Sequence, residues 1–545
     1  MVTEDIIMED SVEKEKQADA ELAEQNQQLM VQFTSETGKI YSLKSPKRRY
    51  NRLYCDSISF NTHLNINIKF AGETPFASFS IPKSVNPSKL KTLLQAFRKQ
   101  LKDTDGEDID DEEEEDTPYL FFINGHDIKT NINDCIRHQI LNIEKTVPIV
   151  YQPQAVFRVR PVSRCTSSMP GHGEPVIVAN FSPNGKFLAS GAGDKTVRFW
   201  DLTTETPQYE CKGHREWVLA LSWAPDGRRV ATGDKSGNVI IWDPSNGKQA
   251  GRTLAGHKQF ITALSWEPLH LDGSCRRVAS SSKDGDVRVW DSKIGQCLMS
   301  MTSHTMSVTC LKWGGSGLIY SASQDRTIKV WRSTDGALCR TLQGHGHWVN
   351  VLALNTDYVM RTGAFDPSKA TIVHEDLQEK PEVLKAKAEK RYKQVLQVVQ
   401  EELMVSGSDD FTLFLWQPAS DKKSLSRMTG HQQLVNDVKF SPDARLCASA
   451  SFDKSVRLWD GRTGKFIAVL RGHVQAVYQL AWSADSRLLV SGSADSTLKL
   501  WSMKTKKLDT DLPGHGDEIY AVDWSPDGQR VVSGGKDKVL RIWRK

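Results

Sequence analysis

The sequence predicts a mainly β chain, an eight-bladed β-propeller preceded by a small α+β domain, and three periodic observations carry that expectation. A tryptophan ends a strand-like run eight times, at Trp200, Trp242, Trp290, Trp331, Trp416, Trp459, Trp501 and Trp543. Upstream of each stands a Gly-His or Ser-His pair, with the histidines at His172, His214, His257, His304, His345, His431, His473 and His515. These lie 42, 43, 47, 41, 86, 42 and 42 residues apart, a blade-sized period. Six residues before the tryptophan comes an aspartate: Asp194, Asp284, Asp325, Asp410, Asp453, Asp495 or Asp537, with Ser236 in its place in the second repeat.

Between histidine and tryptophan run alternating apolar stretches such as Val218-Leu219-Ala220-Leu221-Ser222-Trp223, followed by turns such as Pro225-Asp226-Gly227 and Pro526-Asp527-Gly528. Strand, turn, strand is the reading. The set resembles WD-repeat propellers, in which the blade's histidine, turn aspartate, a strand Ser or Thr and the tryptophan form a buried hydrogen-bonded network. A buried network stabilises only when every member is satisfied, so it recurs as a unit. Ser236 is expected to weaken that of blade 2. The last repeat stops two residues after Trp543, so another segment must supply its outermost strand. Residues 155–164 are the expected donor, closing the ring and removing its free edges.

The 86-residue spacing between His345 and His431 equals two periods. A ninth, degenerate blade is rejected because residues 381–403 are charged, rich in helix formers and free of glycine. They read as a helical insertion within blade 5, spanning about 366–403 and projecting from the ring.

Composition narrows the function classes. The formal charge of +4 arises from 71 basic and 67 acidic side chains, too even for a chain that coats nucleic acid along its whole surface. Nine cysteines show no C-x-x-C pair, which favours idle thiols in a reducing compartment. Neither a signal-peptide core nor an apolar run of 18 residues is present, so a soluble intracellular protein without a membrane role is expected. Lys47-Arg48-Arg49 is a weak import-signal candidate. No P-loop and no nucleophile elbow in a strand-to-helix setting occurs, and no catalytic residues are assigned.

Ahead of the repeats, residues 1–27 are polar and rich in Glu and Gln, and read as a disordered lead-in. Residues 28–152 then alternate strand candidates (29–33, 76–82, 119–123, 147–151) with an amphipathic helix at 87–101 carrying Leu90, Leu93, Leu94 and Phe97 on one face. This is the element order of a ubiquitin-like fold. Two stretches interrupt it, about 39–72 and the acidic run at 106–116. The propeller is expected to occupy 153–545.

The strings Tyr151-Gln152-Pro153-Gln154-Ala155-Val156-Phe157, Ser265-Trp266-Glu267-Pro268-Leu269-His270, Ser321-Ala322-Ser323-Gln324-Asp325-Arg326-Thr327 and Ser406-Gly407-Ser408-Asp409-Asp410-Phe411-Thr412, together with the domain order, resemble the Notchless family of large-subunit ribosome assembly factors. The resemblance implies that the ubiquitin-like domain is gripped by Midasin, a giant AAA ATPase. In that family an exposed glutamate completes the Mg²⁺ coordination of Midasin's adhesion site in trans. In Asn142-Ile143-Glu144-Lys145-Thr146-Val147 the matching residue is Glu144. Carboxylate oxygen suits Mg²⁺, a hard cation held by one or two carboxylates with waters filling the rest. No cofactor of the chain's own is implied.

The propeller then becomes the anchor on the pre-60S particle, touching rRNA and assembly proteins, in the nucleolus and nucleus. On the rim shared by the Gly-His loops and the aspartate turns, Trp217, Phe260 and Trp348 follow their histidines by three residues and are candidate contact anchors. Lys195, Lys235, Lys283, Arg326, Lys454, Lys536 and Lys538 flank the turn positions and are candidate phosphate contacts. The alternative is a WD-repeat signalling adaptor acting on the Notch or a ubiquitin pathway.

Overall fold

The computed structural model describes residues 28–35, 66–67, 78–82, 85–93, 119–123, 126–128, 147–153, 159–366 and 380–545. The chain divides into two compact units, Met1–Val156 and Phe157–Lys545.

In the first unit six strands form one mixed sheet, in the order Ile66–Asn67, Ser78–Pro82, Gln28–Ser35, Val147–Pro153, Tyr119–Ile123, His126–Asp127. The first strand is central, with Val31 opposite Phe79 in an antiparallel pair and opposite Val147 in a parallel one. Residues 87–93 are helical. Asn86 caps that helix by accepting the Lys89 N–H at 3.0 Å, and Leu90 is fully buried. Residues 1–27, nearly all of 39–72, the acidic run and Glu144 lie outside the described residues.

The second unit is eight four-stranded antiparallel sheets, the first seven simple meanders of consecutive strands. Their first strands stand side by side around the ring, and that of blade 8, Ile519–Trp524, returns to that of blade 1, Val176–Phe181. Close stacking needs a small residue nine positions before each tryptophan: Gly191, Gly233, Ser281, Ala322, Gly407, Ala450, Gly492 and Gly534. A Cβ on Gly233 would come within 2.5 Å of Ile261 in the next blade, and one on Gly534 within 2.8 Å of Val176 across the closing seam. The cores accordingly sit between blades. Phe199 and Val197 of blade 1, for instance, pack with Trp223, Val230 and Trp242 of blade 2.

Closure uses Arg164–Pro170, not residues 155–164. This strand pairs antiparallel with Val539–Arg544, Trp543 opposite Cys165. The reason is periodic. Outer strands lead into the histidine loop of the next blade, as Thr206–Lys212 runs into Gly213-His214, so the closing strand ends at Gly171-His172. The residues just before it anchor the entry to the ring instead. There the Val159 N–H donates to the Asp485 carboxylate at 2.9 Å, and Val162 is buried in the core between blades 7 and 8.

The blade 5 insertion also differs from expectation. It does not project; it folds back across the face opposite the Gly-His loops. A short helix, Asp357–Thr362, follows the innermost strand Val349–Leu354. Asp357 pairs with Lys312 of blade 4 at 2.9 Å. Arg361 reaches Asp523 of blade 8 at 2.8 Å and the Phe181 carbonyl of blade 1 at 3.4 Å, so the helix crosses the end of the central channel. The long helix Pro381–Val399 turns Leu384 and Ala388 into the core of blades 2 and 3. Tyr392, one turn on, stacks on His270 with ring centroids 4.0 Å apart. After it, buried Glu402 accepts hydrogen bonds from the Gly315 N–H, Ser316, Tyr320 and Thr356 at 2.9–3.2 Å. Apolar residues at i, i+4 and i+8 on a charged helix need a surface to cover, and blades 2–4 provide it.

Leu384→Ala should lower the unfolding free energy by about 2–5 kcal/mol, while Lys390→Ala on the exposed side should stay within about 0.5 kcal/mol. Chemical denaturation of the two variants checks this; a projecting helix would make both changes equally mild.

Candidate functional site

Every blade holds the same four-member chain of hydrogen bonds. In blade 1 the Trp200 indole N–H donates to Ser190 Oγ at 2.8 Å, Ser190 lies 2.8 Å from His172 Nε2, and His172 Nδ1 lies 2.9 Å from Asp194. Indole is a donor only and carboxylate an acceptor only. The indole therefore donates to the serine oxygen, and Nδ1 carries the proton shared with the carboxylate. The pattern repeats down to blade 8, where Trp543, Ser533, His515 and Asp537 are linked at 2.8, 2.7 and 2.8 Å. The other carboxylate oxygen caps the turn: Asp194 accepts both the N–H and the hydroxyl of Thr196.

Blade 2 is complete, contrary to expectation. Asp234, two residues before Ser236, takes the His214 Nδ1 bond at 3.0 Å, and Ser236 donates its hydroxyl to Asp234 at 2.7 Å. The usual Ser-x-Asp of the turn is reversed to Asp-x-Ser, and the carboxylate still arrives at the imidazole. Thr232 serves in the serine position, 2.7 Å from both His214 and Trp242.

Electrostatics follow from this arrangement. Burial pushes Asp194, Asp325, Asp410, Asp453 and Asp495 upward, but hydrogen bonds from the paired histidine and the turn residues outweigh it and hold all five well below the usual carboxylate range. Burial lowers His257 and His431, only partly offset by their aspartates. The blade histidines and aspartates are thus engaged with one another, and their role is structural rather than catalytic.

The rim above these networks is built by one backbone bond per blade. The residue seven before the tryptophan donates its N–H to the carbonyl of the residue three after the histidine: Lys235 to Trp217, Lys283 to Phe260, Gln324 to Ser307, Asp409 to Trp348, Phe452 to Leu434, Ala494 to Ala476, Lys536 to Glu518. Each blade thereby presents a fixed pair. In blades 2 and 3 the pair is a lysine over an aromatic ring, Lys235 Nζ 5.2 Å from the Trp217 centroid and Lys283 Nζ 5.0 Å from that of Phe260. In blade 5 Trp348 lies against His347 with centroids 5.2 Å apart. Trp217 and Trp348 are exposed, at 41% and 39%. Residues after the aspartate take a left-handed backbone, including Lys195, Arg326, Lys454 and Lys538 with φ of 65–68°, so they occupy the turn apex. Lys195 and Lys536 are neutralised by Glu216 and Asp517. Lys235, Lys283 and Arg326, in three consecutive blades, form no ion pair among the described residues.

Among proteins of known name the chain is 59% identical over 375 residues to "Protein Notchless" of Drosophila melanogaster, covering 69% of this chain and 74% of that one. The chain belongs to the Notchless family. It is also 53% identical over 389 residues to the "Notchless protein homolog" of Arabidopsis thaliana, 71% and 78% covered. To "Ribosome assembly protein 4" of Saccharomyces cerevisiae it is 45% identical over 426 residues, 74% and 79% covered. The profile for the WD domain, G-beta repeat, matches seven stretches between residues 163 and 544; the repeat left out is blade 5, which the insertion splits. The NLE (NUC135) domain profile matches residues 66–136. A solved structure of the computationally designed Ika8 protein aligns with a TM-score of 0.55 and 28% identity, over 70% of this chain and all of that one.

The Notchless rim holds groups that spacing of the histidines and aspartates does not single out. The position five after the histidine lines the inner mouth: Leu219, Thr262, Thr309, Tyr478 and Tyr520 among others. Phe452, Tyr478 and Tyr520 form an aromatic row with 5.7 Å between successive centroids, and Glu518 accepts from both tyrosines. Comparing the repeats column by column at that position would have found them.

Asp234→Ala should lower the unfolding free energy by about 3–5 kcal/mol by stranding a buried partner, and Ser236→Ala by about 1 kcal/mol; equal losses in chemical denaturation would contradict the reversed turn. Stability should also fall in acid in two stages. His257 and His431 are depressed, so the unfolded chain takes up their protons first and stability drops as pH falls below about 6.5; the depressed aspartates add a further loss below about 4. Melting temperature across pH 3–8 checks the order, and a flat profile would contradict it.

Proposed function

We propose that the chain is a non-catalytic assembly factor of the large ribosomal subunit, acting in the nucleolus and nucleus. The observation that carries this reading is the 45% identity to a ribosome assembly protein over 79% of that relative. The propeller seats the chain on the pre-60S particle through the channel rim, where aromatic anchors and unpaired cations share one surface. A phosphate-rich partner answers those cations, and rings such as Trp217 and Trp348 suit a contact that excludes water. The opposite face is occupied by the chain's own insertion, which leaves the rim as the open mouth of the channel.

The first unit is the handle, read as a ubiquitin-like domain. Its central strand is flanked by Ser78–Pro82 and by the parallel Val147–Pro153, an arrangement that supports the reading. Glu144 stands three residues before that last strand and is the ligand offered to Midasin's metal site. Glu144 would hold Mg²⁺ there through a carboxylate oxygen, and the ion would supply a positive centre joining the two proteins. Force from ATP hydrolysis in Midasin then reaches the particle through the propeller.

Glu144→Ala and Glu144→Asp should both abolish capture of Midasin by the full chain in the presence of Mg²⁺, while leaving co-sedimentation with pre-60S particles on a glycerol gradient intact. Retained capture by either variant would remove Glu144 from its role. Failure of the unaltered chain to sediment with large-subunit precursors would overturn the assembly reading itself.

A further inference from the structure

The rim is uneven, and the unevenness makes a site. Between blades 2 and 4 the channel mouth holds a hollow of about 400 Å³, lined by Phe260, Thr262, Lys283, Ser307, Thr309 and Gln324 among others. The rim pair of blade 4 is Ser307 with Gln324, so a small hydroxyl stands where blades 2 and 3 carry an aromatic ring. One wall is the half-buried Phe260 ring with the Lys283 ammonium over it. The other wall is polar: the Gln324 side-chain amide makes no hydrogen bond among the described residues, and Thr262 and Ser307 bring hydroxyls to the same space. Arg326, at the turn apex of blade 4, and Lys235, over Trp217 of blade 2, belong to blades of this same stretch of rim and have no ion-pair partners among those residues.

An aromatic face, a cation over it, an unengaged amide and further cations on the same rim together match one ligand chemistry. A base needs a ring to stack on and an edge partner that both donates and accepts; its phosphates need cations on each side. We propose that this hollow takes a single base extruded from an unpaired RNA strand. The base stacks on Phe260 and its edge meets the Gln324 amide, while the Lys283 ammonium moves off the ring to the adjoining phosphate. Arg326 and Lys235 hold the phosphates on either side. A duplex is excluded, since its bases are already stacked and cannot enter a concave site. An acidic peptide would engage the cations but leave both the ring and the amide unused. The inference rests on the reading of the rim as the surface that seats the propeller on a nascent particle.

The test uses the full purified chain and fluorescence anisotropy with a labelled 12-nucleotide unpaired RNA, the same strand with abasic positions, and the corresponding duplex. The unpaired strand should bind at least about tenfold more tightly than the duplex or the abasic strand, the scale of losing one stacked base. Phe260→Ala should weaken it about tenfold with no change in salt dependence. Lys283→Gln should reduce the slope of log affinity against log salt by about 0.7, the contribution of one phosphate contact on a single strand. Gln324→Ala keeps the ring and should weaken binding more for some bases than for others. Lys504→Gln, on the opposite face, is the control and should change nothing; thermal melts establish that each variant is folded. Equal binding of duplex and single strand, binding unaffected by Phe260→Ala, or competition by poly-glutamate as effective as by RNA would each overturn the proposal, the last in favour of an acidic polypeptide. Co-sedimentation with pre-60S particles separates the two readings: RNA binding lost while sedimentation persists sinks the pocket alone, and sedimentation absent from the unaltered chain sinks the assembly reading.

Discussion

The rest of the propeller depends on a single chain of donors and acceptors, tryptophan to serine to histidine to aspartate, repeated in eight blades. It is directional. Indole can only donate and carboxylate only accept, which places a proton on Nδ1 and leaves no member unsatisfied in a setting where an unpaired polar group is costly. The same aspartate caps the turn beyond it, so the network joins the loop entering a blade to the hairpin at its rim. Geometry at the rim is thereby set from within, and a side chain three residues after the histidine or seven before the tryptophan is presented at a fixed place. A rigid presentation of that kind is what a docking surface needs, because less ordering remains to be done on binding.

Ring closure imposes the second constraint. Blades approach closely enough that the position nine before each tryptophan is always Gly, Ala or Ser, and the final sheet is completed by Arg164–Pro170 from the start of the propeller. The blade 5 insertion adds a link that no ordinary repeat makes, for Arg361 ties blade 5 to blades 8 and 1 across the channel. The ring is thereby braced both along its edge and across its bore. The brace also leaves the two faces unlike each other, one covered by helices and the other open.

Periodicity explains how much of this was legible in the sequence. The blade count, the relay residues and the rim candidates occupy fixed positions in each repeat, so spacing alone reveals them. Ser236 misled because a rule based on spacing counts positions, whereas the turn only has to deliver a carboxylate to the imidazole, and Asp234 does so from two residues earlier. The insertion misled because its charges read as solvated, while Leu384, Ala388 and Tyr392, spaced by four, were the evidence of a buried face. The hollow beside Phe260 was not legible at all. It borders a position where blade 4 carries a small hydroxyl, and a missing ring acquires meaning only once its neighbours are in place. Glu144 rests on resemblance, since a carboxylate in a loop has no signature in spacing or composition.

The central claim is that the open rim, not the helix-covered face, meets the nascent subunit. Electron cryomicroscopy of the chain bound to a large-subunit precursor tests it most directly. The account predicts that Trp217, Phe260 and Lys283 face ribosomal RNA or protein, with the Pro381–Val399 helix turned toward solvent; the reverse orientation, with that helix buried in the particle and the rim open to solvent, would contradict it.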